Sequence, residues 1–354
     1  MSQTTDRTEQ AWASNATVDQ IVDRLRRSDS AVVLTHGKPD GDAVGSSVAI
    51  AQALIALGKK AIVLFDPPWT DRFDCVIADT PYRVLEGKAD DPAWSDDRVK
   101  NADTVVVVDT GSWSQLAASE AFLRTRADKT VLIDHHAHGD PEVAALRHID
   151  THAPAAAQIA ADVTFNLLGL PSIAQLPLPI ARAVYLGMAT DTGWFKHPSV
   201  RSSTFRIAAD LIDAGVDHSR LFLQTEQSDP PERLLIMQRA MKSMELVAGA
   251  QGAIMCLSPA DFEETGADLS LTGGLVDLPK AVRTVEVSAL LTQVEPNLTK
   301  VSFRSKASMK NIDVNDLAQR FGGGGHKHAA GARIEADLSG AKKQIVEALE
   351  DALR

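Results

Sequence analysis

The sequence predicts an α/β protein: a doubly wound, mainly parallel sheet followed by a smaller α/β domain. Three observations carry this expectation. Short continuous apolar runs, Ala31-Val32-Val33-Leu34, Val105-Val106-Val107-Val108 and Val131-Leu132-Ile133, read as strands covered on both faces. Segments of helical character alternate with them, as in successive strand–helix–strand units. Each run opens into groups that ligate or ionise: His36, Asp40 and Asp42 after the first, Asp109 after the second, and Asp134-His135-His136 after the third.

Taken in order, residues 1–15 read as a flexible tail, after which Val18, Ile21, Val22 and Leu25 repeat at helical spacing. Residues 42–57 form a helix opened by the polar loop after the first strand and stopped at Gly58. Residues 60–65 are the next strand, ended by Pro67-Pro68, and residues 146–149 extend the sheet beyond the third run. Residues 155–168 and 178–190 are helical by composition, with Asp191 at the end of the second. Helices at about 201–214 and 218–248 follow, and the domain boundary falls among them. Beyond it come a strand at 253–257 and a hairpin of 285–294 with 298–303 around Glu295-Pro296-Asn297. A short helix at 312–321 with Asp313 as its cap and a closing amphipathic helix at 342–353 complete the chain.

Composition bounds the function. With 354 residues and 44% hydrophobic content the chain buries a sizeable core and divides into two domains. A formal net charge of -11 disfavours sequence-blind binding of long or duplex nucleic acid and suits short or mononucleotide substrates. Cys75 and Cys256 have no CxxC spacing, which points to a reducing, cytoplasmic setting rather than a disulfide framework. No stretch reaches the roughly 18 apolar residues of a membrane span.

Ligands of parallel sheets bind beyond the carboxyl ends of the strands, so residues that follow different strands converge there. His36, Asp40, Asp42, Asp109, His135 and Asp191 are six candidate ligands, too many for one ion that keeps a position for water. Mixed carboxylate and imidazole donors suit Mn²⁺, with Mg²⁺, Co²⁺ or Zn²⁺ as competitors, and the absence of thiolate argues against structural zinc. Paired cations about 3.5–4 Å apart are a recurring phosphoryl-transfer device, and Asp109, alone at its strand end, is the natural bridge.

At these motifs the chain resembles the DHH phosphoesterases, in particular the nanoRNase, pAp phosphatase and cyclic-dinucleotide phosphodiesterase branch. The resemblance rests on His36-x-x-Pro39-Asp40-x-Asp42 with Gly45-Ser46, on Asp109, on Asp134-His135-His136, on Asp191-Thr192-Gly193 and on Gly322-Gly323-Gly324-Gly325-His326-Lys327. It implies that His36, Asp40 and Asp109 hold one Mn²⁺, that Asp42, Asp109, His135 and Asp191 hold the other, and that His136 faces the scissile phosphate while Asp134 orients an imidazole. It further implies a metal-binding catalytic domain at 16–200, a helical linker at 201–248, a DHH-associated substrate domain at 249–354, and a homodimer. One stretch departs from the family pattern: Ala155-Ala156-Ala157-Gln158 stands where members carry a Ser-Thr pair and a Glu at a helix start.

The glycine run is the second centre. Four consecutive glycines forfeit backbone entropy, so their retention implies a close backbone approach, and bare N–H groups can line a phosphate. His326 and Lys327 add donors, a following helix start would strengthen anion binding, and Arg304 with Ser305 ends a strand of the same domain. The expected activity is hydrolysis of short RNA, pAp or cyclic and linear dinucleotides by a metal-activated water. The alternatives are a RecJ-type single-strand exonuclease, disfavoured because the chain has no room for an oligonucleotide-binding fold, and a non-catalytic nucleotide sensor.

Overall fold

The computed structural model describes residues 11–88 and 90–354. By internal packing the chain forms two compact units, one ending at Ser228 and the other comprising Asp229–Arg354.

The first unit opens with α1 (Val18–Arg27), started by a reciprocal cap between Thr17 and Gln20 and burying Ile21, Val22 and Leu25. β1 (Ser30–Leu34), α2 (Gly41–Ala56), β2 (Lys60–Phe65), the single-turn α3 (Asp74–Ile77), β3 (Tyr82–Val84), the single-turn α4 (Asp97–Lys100) and β4 (Thr104–Val108) follow. Then come α5 (Glu120–Arg124), β5 (Thr130–Asp134), β6 (Leu146–Ile149), α6 (Ala156–Leu167), α7 (Leu178–Asp191), α8 (Ser202–Asp213) and α9 (His218–Glu226). The sheet order is β3-β2-β1-β4-β5-β6, parallel throughout.

Alternate strand residues explain the unbroken apolar runs. Val33, Val63, Val106, Val108, Val131 and Ile133 pack beneath α2, α6 and α7, whereas Val32, Ile62, Val105, Val107 and Leu132 face the opposite layer of Val99, Phe122 and Leu123. Order reverses between β1 and β4, so a crevice opens beyond the carboxyl ends of these two strands. Over that crevice α2 and α7 approach at backbone distance. A Cβ on Gly45 would stand 2.3 Å from the Ala183 carbonyl oxygen, which only glycine avoids.

The second unit holds α10 (Pro231–Lys242), β7 (Glu245–Val247), β8 (Gly252–Leu257), α11 (Pro259–Thr265), β9 (Val287–Glu295), β10 (Leu298–Ser305), α12 (Val314–Gln319), β11 (Gly324–His326), β12 (Ala329–Ile334) and α13 (Leu338–Ala352). Its sheet runs β11-β12-β10-β9-β8-β7, antiparallel except for β8 with β9. One face buries Val287, Leu291, Val301 and Phe303 against α12 and α13.

Several expectations need correction. The expected helix at 218–248 is α9 and α10 with a break at 227–230, since Pro230 and Pro231 lack the N–H and disfavour helix in the residue before each, and its last residues are strand β7. The residues expected at 201–248 divide between the units, α8 and α9 with the first and α10 with the second. No helix follows the glycine run; β11 and β12 make a hairpin there. Of the expected tail, residues 1–10 lie outside the described residues, whereas residues 11–15 are held against the first unit by Trp12, Ser14 and Asn15. Among the described residues no helix is long and apolar enough to cross a membrane.

Candidate metal centre and the face of the C-terminal sheet

The loop after β1 carries His36 and Asp40. Asp40 caps α2, its Oδ1 accepting the N–H groups of Asp42 at 3.0 Å and Ala43 at 3.1 Å. Asp42, in the first turn of α2, is buried. Asp109 follows β4 with φ 60°, a left-handed conformation that aspartate tolerates. His135 and His136 follow β5, and Asp191 is the last residue of α7.

These residues converge. Asp109 Oδ2 lies 3.4 Å from His36 Nε2, and Asp109 Oδ1 lies 3.3 Å from His135 Nε2. Asp40 Oδ1 is 3.8 Å from His36 Nε2; Asp191 Oδ2 and Asp42 Oδ2 are 3.7 and 3.9 Å from His135 Nε2. Three overlapping donor groups result: His36, Asp40 and Asp109; Asp42, His135 and Asp191; Asp109, His135 and His136. Each contains carboxylate oxygen and imidazole nitrogen.

Two features fit the cluster to divalent cations. Asp109 Oδ1 is buried and has no hydrogen-bond partner, an arrangement that native interiors rarely keep unless something else compensates the charge. The imidazoles are also turned for ligation: Nδ1 of His36 is 2.9 Å from the Gly37 carbonyl oxygen, and Nδ1 of His135 is 3.3 Å from that of Ala153. With Nδ1–H donated to a carbonyl, a neutral ring directs its Nε2 lone pair into the cluster.

Without a cation the charges compensate by holding protons. Burial opposes a charged His36, but the adjoining Asp109 and Asp40 carboxylates outweigh it and push its pKa up to about 11. Burial likewise opposes charge on His135, and Asp109, Asp42 and Asp191 push it up to about 10. Burial raises Asp191 to about 6 and drives Asp42 upward, with Asp109 adding to both. Asp109 resists its own burial through His135 and His36 and stays at about 2. A bound cation would take the place of the imidazole protons.

Asp134 stands behind this cluster. Its Oδ1 accepts the N–H of His135 at 2.7 Å, that of His136 at 3.2 Å, and Nδ1–H of His136 at 2.8 Å. The hydrogen bond that His136 donates to the Asp134 carboxylate raises the His136 pKa. His136 Nε2 is left for another partner.

In the second unit Arg304 and His326 lie in one register with Ala329, so their side chains share a face of the sheet. Arg304 donates to the Phe303 carbonyl at 3.0 Å and lies 3.7 Å from Asp277. Lys327 is exposed at the hairpin turn. Ser305 is a correction to the expected binding set: it alternates to the opposite face, is buried, donates to the Ile312 carbonyl at 2.8 Å and meets His328 Nδ1 at 2.8 Å. Two of the glycines answer to the fold itself, because a Cβ on Gly323 would stand 2.1 Å from the Gly331 carbonyl oxygen and one on Gly325 2.5 Å from that of Ala329. Gly322 and Gly324 are exposed. The sequence reading missed Lys300 and Arg333, which with Gly322, Gly323 and Gly331 line a recess of about 330 Å³. The alternation Lys300-Val301-Ser302-Phe303-Arg304 was the available signal.

Fold and cluster together define an α/β protein with a carboxylate–imidazole centre at the switch point of a parallel sheet. Comparison with known proteins supplies the family. The DHH family, N-terminal domain, matches residues 30–188, and the DHHA1 domain matches residues 251–354. The bifunctional oligoribonuclease and PAP phosphatase NrnA of Thermus thermophilus is 31% identical over 324 residues, 91% of this chain and 89% of that protein. The cyclic-di-AMP phosphodiesterase GdpP of Geobacillus thermodenitrificans is 25% identical over 92% of this chain, which spans 48% of that protein. Among solved structures, an exopolyphosphatase-related protein from Bacteroides fragilis superposes with a TM-score of 0.86 at 21% identity, covering 95% of this chain and 96% of that one, and shares the fold. The chain belongs to the DHH family and is a phosphoester hydrolase.

Proposed function

We propose that this chain is a Mn²⁺-dependent phosphoesterase of short oligoribonucleotides and small nucleotides, including pAp and cyclic or linear dinucleotides. The observation that carries the reading is Asp109, whose two oxygens point to different imidazoles, His36 and His135, with further carboxylates beyond each. His36, Asp40 and Asp109 would hold one ion, and Asp42, Asp109, His135 and Asp191 the other. Paired cations bound there would lower the pKa of a shared water and neutralise charge on the phosphoryl oxygens.

The remaining residues prepare the phosphate. His136, steadied by Asp134, presents Nε2 to a phosphoryl oxygen and stabilises charge that develops on it. Within the second unit, Arg304, Lys327 and the exposed glycine N–H groups, with His326 beside them and Lys300 and Arg333 extending the face, offer donors suited to nucleotide phosphates. The names of the Thermus and Geobacillus relatives favour short RNA, pAp and cyclic dinucleotides as the substrate set.

The test is a turnover panel with Mn²⁺ over a diribonucleotide, a five-residue RNA, pAp and cyclic di-AMP. At least one is expected to be hydrolysed only with metal present and not by the Asp109→Ala variant. Full turnover after exhaustive chelation, or processive degradation of long single strands in preference to the panel, overturns the reading.

A further inference from the structure

Residues 11–16 form a strap along the outer edge of the first sheet. Asn15 donates through Nδ2 to the Ala145 carbonyl at 2.9 Å and accepts the N–H of Arg147 at 2.7 Å. Ser14 Oγ exchanges hydrogen bonds with the backbone of Ile149, and the N–H groups of Asn15 and Ala16 both reach the Arg147 carbonyl at 3.0 Å. The strap thus covers β6, which would otherwise offer an open edge.

At its start the strap delivers Trp12 to the loops that carry the centre. The indole N–H donates to the His136 carbonyl at 3.0 Å. The ring sits against two glycines: a Cβ on Gly111 would stand 1.9 Å from a ring carbon, and one on Gly139 2.5 Å. Neither glycine has positive φ, so the ring, not the backbone, excludes a side chain at both positions. Gly111 lies two residues beyond Asp109, and Gly139 three beyond His136. Between them the N–H of Asp140 donates to the Gly111 carbonyl at 2.7 Å, and Asp140 Oδ2 accepts the N–H of Trp113 at 2.8 Å, so the loops after β4 and β5 are clipped together.

We infer that Trp12 is a positioning residue for hydrolysis, wedged between the loops of Asp109 and His136 and fixing the peptide from which the His136 imidazole projects. The inference rests on the phosphoesterase reading above. Asp134 fixes the ring of His136 through Nδ1 and Trp12 fixes its backbone, so the two contacts set one side chain from both ends. Trp12 acts through the loops.

The test uses the full chain with Trp12→Phe, which removes the N–H but fills most of the space, Trp12→Ala, Gly111→Ala and the double variant Trp12→Ala/Gly111→Ala. Trp12→Ala is expected to lower kcat on a diribonucleotide with Mn²⁺ by about 100-fold while KM moves less than about threefold, the scale of a 1 Å misplacement. Trp12→Phe is expected to recover part of that loss. Gly111→Ala, which expels the ring, is expected to match Trp12→Ala, and the double variant to be no worse than either. Hydrogen exchange of the metal-free protein is expected to quicken at residues 109–115 and 135–141 and to stay native in β1 and β2.

Native kcat and native loop exchange in Trp12→Ala overturn the inference. So does a loss of kcat with exchange quickened uniformly over the sheet in both Trp12 variants, which marks general destabilisation. If the native chain hydrolyses none of the panel, the functional reading has failed, and the exchange pattern alone decides whether Trp12 orders the two loops.

Discussion

The carboxylate of Asp42 caps a helix to which it does not belong: Oδ1 accepts the N–H of Ala157 at 2.8 Å, and Oδ2 accepts that of Ala156 at 2.6 Å. Ala155, the residue before α6, has no side chain able to do this. The Ala155-Ala156-Ala157-Gln158 stretch that departs from the family pattern is therefore satisfied from α2. The same contact fixes Asp42 with Oδ2 3.9 Å from His135 Nε2, so a proposed ligand is held in place by a helix N-terminus, which offsets only part of the burial and the Asp109 charge that drive its pKa upward.

Replacing Asp42 should consequently disturb two properties at once. Asp42→Ala is expected to cost about 1–2 kcal/mol of stability through the lost cap, read by chemical denaturation of metal-free protein. It should also weaken Mn²⁺ binding, read by calorimetry. A variant that keeps native stability would remove the capping role, and one that keeps native Mn²⁺ affinity would remove Asp42 from the ligand set.

His135 and His136 are neighbours with opposite expected phenotypes. His135→Ala should lose Mn²⁺ affinity. His136→Ala should keep it and lower kcat by about 100-fold, within the usual range for a positioned proton-transferring or charge-stabilising group. Asp134→Ala, which frees the His136 ring, should resemble His136→Ala in kcat. Equal loss of Mn²⁺ binding in both histidine variants would contradict the division of roles.

The centre was legible in the sequence because parallel topology turns strand ends into neighbours: His36, Asp109 and His135 each follow an apolar run, and Asp191 closes a helix packed on the same face. What escaped was local and weakly patterned. β3 has only three residues, and β11 is built of glycine and histidine, residues without strand character that pair because Gly323 and Gly325 let β12 approach. Trp12 was invisible for another reason. A lone aromatic in a polar segment has no period, and its seat is made by glycines about 100 and 127 residues away in the chain.

Gly45 carries a prediction about the scaffold. Its Cβ would collide with the Ala183 carbonyl on α7 and lie 2.9 Å from the Gly187 nitrogen, so neither helix can yield by rotating a side chain. Gly45→Ala should destabilise the first unit by about 1–3 kcal/mol, the range for overpacking, even though alanine is the better helix former. Because Asp42 lies one turn away and Asp191 ends α7, Mn²⁺ affinity should fall with it. An alanine variant as stable as the native chain would show that α2 and α7 are not in backbone contact.

The protonation pattern fixes how metal and pH must interact. In the metal-free protein His36 and His135 titrate at about 11 and about 10, above the ordinary 6.5. A histidine whose folded pKa is raised contributes stability fully below its unfolded pKa and loses it as pH climbs through the folded value. Asp191, raised to about 6, acts in the same direction at lower pH, because its ionisation in the folded chain is opposed by burial and by Asp109. Metal-free protein should therefore lose thermal stability steadily from about pH 6.5 towards pH 10. Mn²⁺ displaces the imidazole protons, so the loaded protein should escape this decline, and the difference in Tm between loaded and metal-free protein should widen as pH rises. Calorimetric titration with Mn²⁺ at pH 7.5 in buffers of different ionisation enthalpy should detect about two protons released. A Tm difference that narrows with rising pH, or binding without proton release, would mean that His36 and His135 do not meet the cation.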